Sequence, residues 1–288
     1  MVSLQLADAT TTGTVVGQVA ALWRYPLKSM LGEQQQRLEV EARGVLGDRG
    51  YALWDTALQR VASAKNPRLW ADLLAYRARY LSEPRSGQAL PPLWVEGPFD
   101  GAGAPITGLR SDDPSLAERL SQQLGRLVTL LDQPPAGASL DQYWPPVEGR
   151  DFQDVTKALV LPEGTFFDAC PIHAISTTTL TTLRRLEPEH DFAVERFRPN
   201  LLIEPTEEWQ GFAEEAWVGG VLAIGAQLRL LVDGGCPRCV ITTLAQGGLP
   251  DNLEILRATA RHNQVTAGIR LSVLTPGTMA VGDPVFWC

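Results

Sequence analysis

The sequence predicts a mainly β protein with a few helices, arranged as a smaller N-terminal β-barrel-like domain followed by a second barrel-like β-domain. Three observations lead there. Short apolar runs bounded by glycine, proline, aspartate or asparagine recur along the chain, and helical periodicities are few and short. The strand candidates also follow one another in runs instead of alternating with helices, which favours antiparallel β architecture over a parallel βαβ sheet.

Residues 15–24 alternate loosely in apolar character, and 37–40 and 51–54 read as further strands. Asp113 as N-cap, Pro114 at the first helical position, and Leu116, Leu120 and Leu124 on one face predict a helix that Gly125 stops. A short apolar strand is expected over 127–131. Between 133 and 154 the composition turns to Pro134, Pro135, Gly137, Pro145, Pro146 and Gly149. Such a stretch reads as a linker or long surface loop, and it divides a domain over 14–132 from one over 155–288. Beyond it, Leu180, Leu183 and Leu186 form a helical stripe after Ser176. Strands are expected at 201–203, 221–224, 228–232, 240–244, 271–274 and 284–287, with a helix over 251–261.

Composition narrows the function classes. Apolar residues at 44% and charged residues at 20% describe an ordinary globular chain. A net charge of −8 argues against broad nucleic-acid binding, which needs a positive field, but leaves room for a locally basic pocket. No stretch approaches the roughly 20 apolar residues of a membrane helix, and residues 1–17 carry no basic residue that would suggest a targeting leader. Four cysteines are too few to staple a secreted domain of 288 residues. A cytoplasmic location is expected, and no signal for an oligomeric state is legible.

The sharpest motif is Cys236-Pro237-Arg238-Cys239. A thioredoxin-type pair needs a helix N-terminus at its first cysteine, whereas the β-branched Val240, Ile241, Thr242 and Thr243 favour a strand. A structural zinc site needs four ligands, and Cys170, Cys288, His173, His190 and His262 are scattered. Two cysteines packed as small hydrophobes remain the plain alternative. Beside Arg238, however, a thiolate is electrostatically favoured, and a thiolate is a soft metal ligand.

Basic residues recur beside residues that fix the backbone: Arg24-Tyr25-Pro26-Leu27-Lys28-Ser29, Gly47-Asp48-Arg49-Gly50 and Phe197-Arg198-Pro199-Asn200. Each suits a phosphate or polar heterocycle, although singly each is more often a surface turn. The acidic stretch 204–215 reads as a solvated loop, His190 and His262 as exposed, and His173 as a core or pocket-edge residue. There is no phosphate-binding Walker loop and no nucleophile elbow, and Gly101-Ala102-Gly103-Ala104-Pro105 is no dinucleotide fingerprint.

Taken together, these segments resemble one family almost end to end. Residues 16–29, 44–51 and Lys65-Asn66-Pro67-Arg68-Leu69 resemble the N-terminal β-barrel domain that precedes MOSC domains. Phe167-Asp168-Ala169-Cys170-Pro171-Ile172-His173, Phe197-Arg198-Pro199-Asn200 and Phe212-Ala213-Glu214-Glu215-Ala216-Trp217 resemble the MOSC domain itself. So do Cys236-Pro237-Arg238-Cys239 and Pro276-Gly277-Thr278 followed by Val281-Gly282-Asp283-Pro284-Val285. The chain is identified on these motifs as a member of the MOSC family, similar to its amidoxime-reducing branch.

The resemblance implies a molybdenum cofactor (molybdenum bound to molybdopterin). Cys239 falls at the position of the metal ligand and catalytic centre. Lys28, Ser29, Arg49, Arg198 and Asn200 fall at positions that hold the pterin and its phosphate, with Pro237 and Arg238 as neighbouring contacts. Ala169-Cys170 stands where the mitochondrial members carry a Thr-Ser pair, which makes Cys170 an altered cofactor contact, and Arg270 stands in place of an aromatic. Neither pyridoxal phosphate nor an iron–sulfur cluster is expected within this chain. The implied activity is reduction of a small N-hydroxylated or N-oxide substrate by oxygen-atom removal, with electrons from a separate electron-transfer protein. The alternative is a cofactor carrier or sulfur-transfer protein without turnover, in which Cys239 would serve equally. A third possibility is a scaffold that has lost the cofactor.

Overall fold

A computed structural model of the chain describes residues 13–98, 106–147 and 154–288. The glycine-rich segment 101–105 and the N-terminal residues 1–12 lie outside the described residues. The protein is mainly β, as its sequence predicts. Its largest sheet runs Leu201–Pro205, Ile172–Ser176, Thr266–Thr275, Leu228–Pro237, Val221–Ile224, Pro284–Trp287 and Thr14–Arg24. Thr14–Arg24 also pairs with Leu201–Pro205, which closes seven strands into a barrel, and Glu33–Gln35 extends it beyond Thr14–Arg24. Closure leaves no free edge on those seven strands.

The alternation of the first strand explains its place. Val16, Val19 and Leu22 are fully buried among Leu201, Ile203, Trp217, Leu230, Ile269 and Val285. Burying each such side chain contributes on the order of 1.5–3 kcal/mol. The helices Thr177–Leu186 and Glu254–Asn263 cover one side of the barrel through Ile175, Leu180, Leu183, Phe192, Phe197, Ile255 and Ala267. A second core gathers Leu27, Met30, Leu53, Trp70, Leu73, Tyr76, Leu93, Val95, Leu116 and Leu120 under two three-stranded sheets, Val128–Leu131/Ala52–Asp55/Arg60–Val61 and Arg77–Tyr80/Leu93–Gly97/Ile106–Arg110.

Strand pairing connects the stretches on either side of 133–154. Thr14–Arg24 belongs by sequence to the first domain yet is a stave of the barrel, and Gly277–Ala280 pairs back with Arg37–Glu41. Part of the expected linker is regular structure: Ser139–Trp144 pairs antiparallel with Val155–Val160, and Leu140 is fully buried. The prolines there flank the strand instead of lying within it. Two local expectations are corrected, at 240–244 and at Glu214. Residues 240–244 are not a strand but a single 3-10 turn, Val240–Thr243. There the hydroxyls of Thr242 and Thr243 donate to the carbonyls of Cys239 and Val240 at 3.0 and 2.7 Å, which offsets their β preference. The helix expected from Asp113 is present as Ser115–Leu124, ended by Gly125, and the Asp113 carboxylate accepts from the Ser115 amide at 2.9 Å as the N-cap reading expects. Glu214, in the stretch expected to be solvated, is 1% exposed and accepts from the Ser176 and Thr179 hydroxyls.

Candidate functional site

Three turns converge at one end of the barrel. Leu27 and Met30 are both fully buried in the N-terminal core, which anchors Lys28 and Ser29 between them. The Lys28 amide donates to the Tyr51 carbonyl at 2.9 Å and the Arg49 amide to the Tyr25 carbonyl at 2.7 Å, tying the first two basic turns together. Phe197, fully buried against the covering helices, places Arg198 at the end of the short helix Val194–Phe197. The strand Leu228–Pro237 is longer than its apolar run predicts and delivers Cys236 and Pro237, and the turn after it starts from Cys239.

The result is a cleft of about 140 Å³ whose wall contains all nine residues singled out from the sequence: Lys28, Ser29, Arg49, Cys170, Arg198, Asn200, Pro237, Arg238 and Cys239. None is left elsewhere. The structure adds Lys65, Asp168 and His173 to that wall. Backbone conformation sets several of them apart. Ser29, Arg49 and Arg198 have φ of 66°, 47° and 52°, in the left-handed region that non-glycine residues seldom occupy. Such a conformation costs on the order of 1–3 kcal/mol and persists only where surrounding contacts enforce it.

Asn200 builds the frame. Its carbonyl oxygen accepts from the His173 amide at 3.2 Å, and its amide group donates to the Trp23 carbonyl at 3.3 Å. The cations are packed in layers. Both Arg49 and Arg198 lie over the Tyr25 ring, their guanidinium carbons 4.4 and 4.3 Å from its centroid. Burial pushes the Tyr25 hydroxyl up to about 12 and draws Arg198 down to about 10. Arg49 is ion-paired with Asp48. Lys28 donates to Asp168 and to the Phe166 carbonyl, both at 2.5 Å. Burial alone would raise Asp168, but Lys28 and Lys65 hold its carboxyl well below the usual carboxylate range.

Arg238 reaches the ring of His173 (Nε2) at 3.1 Å, the Cys236 sulfur at 3.0 Å and the Phe197 carbonyl at 2.7 Å. Burial first and Arg238 second push His173 well below its usual value, so its ring is neutral. Burial, reinforced by Cys236, raises the Cys170 thiol to about 12, so Cys170 is a protonated thiol at neutral pH. Cys239 is half-buried and packs against the cluster of Ala64, Leu74 and Ile241.

The cleft thus gathers five cations, Lys28, Lys65, Arg49, Arg198 and Arg238, against the carboxylates of Asp168 and of Asp48 behind Arg49, on a chain of net charge −8. Two buried guanidinium atoms here, Arg198 Nη1 and Arg238 Nε, have no hydrogen-bond partner. Buried charged donors left unpaired are costly, and anionic oxygens in the cleft would satisfy them. The half-buried Cys239 sits in the same wall. That donor set fits a phosphate-bearing group with a thiophilic metal. Among the described residues no cluster of three or more His, Cys, Asp or Glu could hold a metal, so a metal on Cys239 would need ligands from a non-protein group.

His173 and Lys65 carried weak signals in the sequence. His173 sits in an apolar run, and Lys65 precedes an Asn-Pro turn. Asp168 lay in a stretch that resembles the MOSC domain, but its own type and spacing did not single it out; its contacts with Lys28 and Lys65 do.

A closed β-barrel carrying a cationic, thiol-bearing cleft against an N-terminal β-domain defines the class. The MOSC domain family matches residues 162–286, and the MOSC N-terminal beta barrel domain matches residues 16–81. The chain belongs to the MOSC family, in the form that carries this N-terminal domain. Among curated proteins it is similar to the mitochondrial amidoxime reducing component 2 of Rattus norvegicus, 25% identical with 94% of this chain and 83% of that protein covered. The mitochondrial amidoxime-reducing component 1 of Homo sapiens is likewise 25% identical, over 94% of this chain and 83% of that protein. Among solved structures, the YUAD protein of Bacillus subtilis aligns over 94% of this chain and 95% of its own, at 14% identity and a TM-score of 0.46.

Proposed function

We propose that the cleft binds a molybdenum cofactor through the Cys239 thiolate, and that the protein reduces small N-hydroxylated or N-oxide compounds with electrons from a separate protein. The observation that carries the cofactor reading is the meeting, in one cleft, of a cysteine with two arginines that each keep a buried, unpartnered donor. The reductase reading is supported by relatives named for amidoxime reduction that align with 94% of this chain.

In this reading Cys239 supplies the one protein sulfur to the metal. Arg198 and Arg238 bind anionic oxygens with their free donors, and the left-handed turns at Ser29 and Arg49 fix the approach of the backbone. Asn200 keeps the frame rigid. His173, held neutral, leaves the positive charge of the wall to its arginines and lysines. The bound group would supply the two-electron removal of an oxygen atom, and the protein supplies ligation, orientation and charge.

Protein from a molybdenum-competent host should carry about one molybdenum per chain. Cys239→Ser should lose it, because a neutral hydroxyl does not replace a thiolate at a soft metal, while Cys236→Ser should keep it. Loss in Cys236→Ser with retention in Cys239→Ser would reverse the assignment of the ligand. With reduced viologen the loaded protein should convert benzamidoxime to benzamidine. A loaded sample with no turnover that passes its cofactor to an apo-acceptor protein would make it a carrier instead.

A further inference from the structure

Among the cleft cations, Lys65 has no role in the site described so far. It is 9% exposed and lines the cleft. Among the described residues its ammonium has one ion-pair contact, Asp168 Oδ2 at 3.5 Å. The same carboxylate uses its other oxygen on Lys28 at 2.5 Å, and Lys28 has the Phe166 carbonyl as well. Asp168 is therefore closely committed to Lys28 and holds Lys65 more loosely. An ammonium carries three donors, and a single contact at 3.5 Å leaves donors available to an anionic ligand in the cleft.

The position of Lys65 along the cleft is fixed by its neighbours. The preceding residue, Ala64, belongs to the small apolar cluster against which Cys239 packs, and its amide donates to the Ser29 hydroxyl at 3.0 Å. The Lys65 carbonyl accepts from the Tyr143 amide at 2.8 Å, so the strand Ser139–Trp144 clamps its backbone. Lys65 thus stands on the Cys239 side of the cleft, whereas Arg49 and Arg198 both lie over the ring of Tyr25. Burial would lower Lys65, but Asp168 and the nearby Cys239 and Cys236 outweigh it and keep the ammonium charged.

We infer that Lys65 is a binding residue of the cleft, tethered by Asp168, and that its free donors hold an anionic oxygen beside Cys239. The oxygen can belong to a bound phosphate-bearing cofactor or to a free tetrahedral oxyanion, since both present the same charge and acceptor geometry. The cofactor arm rests on the function proposed above, and the free-anion arm does not.

The experiment has two arms. In the first, apoprotein made without molybdate is titrated with inorganic phosphate and followed calorimetrically. Lys65→Met should weaken binding about tenfold, the loss expected of one charge-assisted hydrogen bond, and Lys65→Arg should restore most of it. In the second, molybdenum and pterin retained after gel filtration should fall in Lys65→Met and recover in Lys65→Arg. Unfolding of the apo forms separates binding from folding. A lysine that is only structural would lower apo stability in Lys65→Met, and weaker phosphate binding would then track that loss.

Weaker phosphate binding in Lys65→Met with unchanged retention assigns the residue to a free oxyanion, and the reverse result assigns it to the cofactor. Unchanged binding and unchanged retention would overturn the inference. Wild-type protein without molybdenum would count against the proposed function alone, since the phosphate arm then decides Lys65.

Discussion

Arg196 and Arg198 are two residues apart and both hidden, at 1% and 8% exposure, yet they sit in opposite environments. Arg196 faces a ring of backbone carbonyls. It donates to Asp191 at 3.0 Å and Pro250 at 2.8 Å, with Thr242 and Leu244 at 3.4 and 3.5 Å. Arg198 faces the cleft, donates to the Met30 carbonyl at 2.7 Å and leaves Nη1 without a partner. Glu214 belongs with Arg196, since its carboxylate is met by the Ser176 and Thr179 hydroxyls. A buried charge whose neighbours use its hydrogen-bonding capacity holds the fold together. One with spare donors in a cleft wall is built to hold something else.

Exchange of each arginine for alanine is the strongest way to break that distinction. Arg196→Ala should destabilise the apoprotein by roughly 3 kcal/mol, since several carbonyls lose their donor and the loop after Cys239 loses its anchor. Arg198→Ala should change apo stability by less than about 1 kcal/mol, because the lost bond to Met30 is offset by removing a costly unpaired donor. It should nevertheless lower retained molybdenum at least about tenfold. Urea unfolding of the apo forms and metal analysis of the loaded forms check both. Equal stability losses in the two variants would collapse the comparison.

A smaller effect concerns His173, which packs against Arg238 in the cleft wall. Its folded value is depressed below the 6.5 of the free side chain. The unfolded chain therefore takes up a proton that the folded chain refuses. The stability it contributes is present above pH 6.5 and is lost as pH falls below that value. His173→Gln should flatten this part of the apo stability profile, as read by unfolding in a series of buffers. An unchanged slope would mean that another group titrates there.

The smallest effect sets the baseline. Arg68 pairs with Asp154 at 2.7 Å, with side chains 58% and 68% exposed. Arg68→Ala should stay within about 0.5 kcal/mol of the parent and leave cofactor retention unchanged. A larger loss would show that exposed pairs on this chain count as much as the buried ones.

Much of the cleft was legible in the sequence because its residues come with local signatures. Pro26 before Lys28, the glycines around Arg49 and Pro199 after Arg198 each mark a fixed turn bearing a cation, and Cys236-Pro237-Arg238-Cys239 marks a paired thiol. The turn after Cys239 was not legible. Val240, Ile241, Thr242 and Thr243 favour a strand by type, and only local hydroxyl bonds and burial of all four make them a turn. Glu214 was hidden for a related reason. Its neighbours in sequence are acidic and polar, while Ser176 and Thr179, which satisfy it, lie more than thirty residues away.

The sequence by itself determined the β class, the cysteine motif and the basic turns, because these depend on alternation, residue type and backbone restriction over a few neighbours. Only the tertiary structure decided that Thr14–Arg24 closes a barrel with strands from the far end of the chain. It alone brings Lys28 to Asp168 across 140 residues and leaves Arg198, unlike Arg196, with an open donor. The physical reason is that ring closure and buried charge pairing are settled by contacts between distant segments. A local pattern can supply a side chain to such a contact but does not specify its partner.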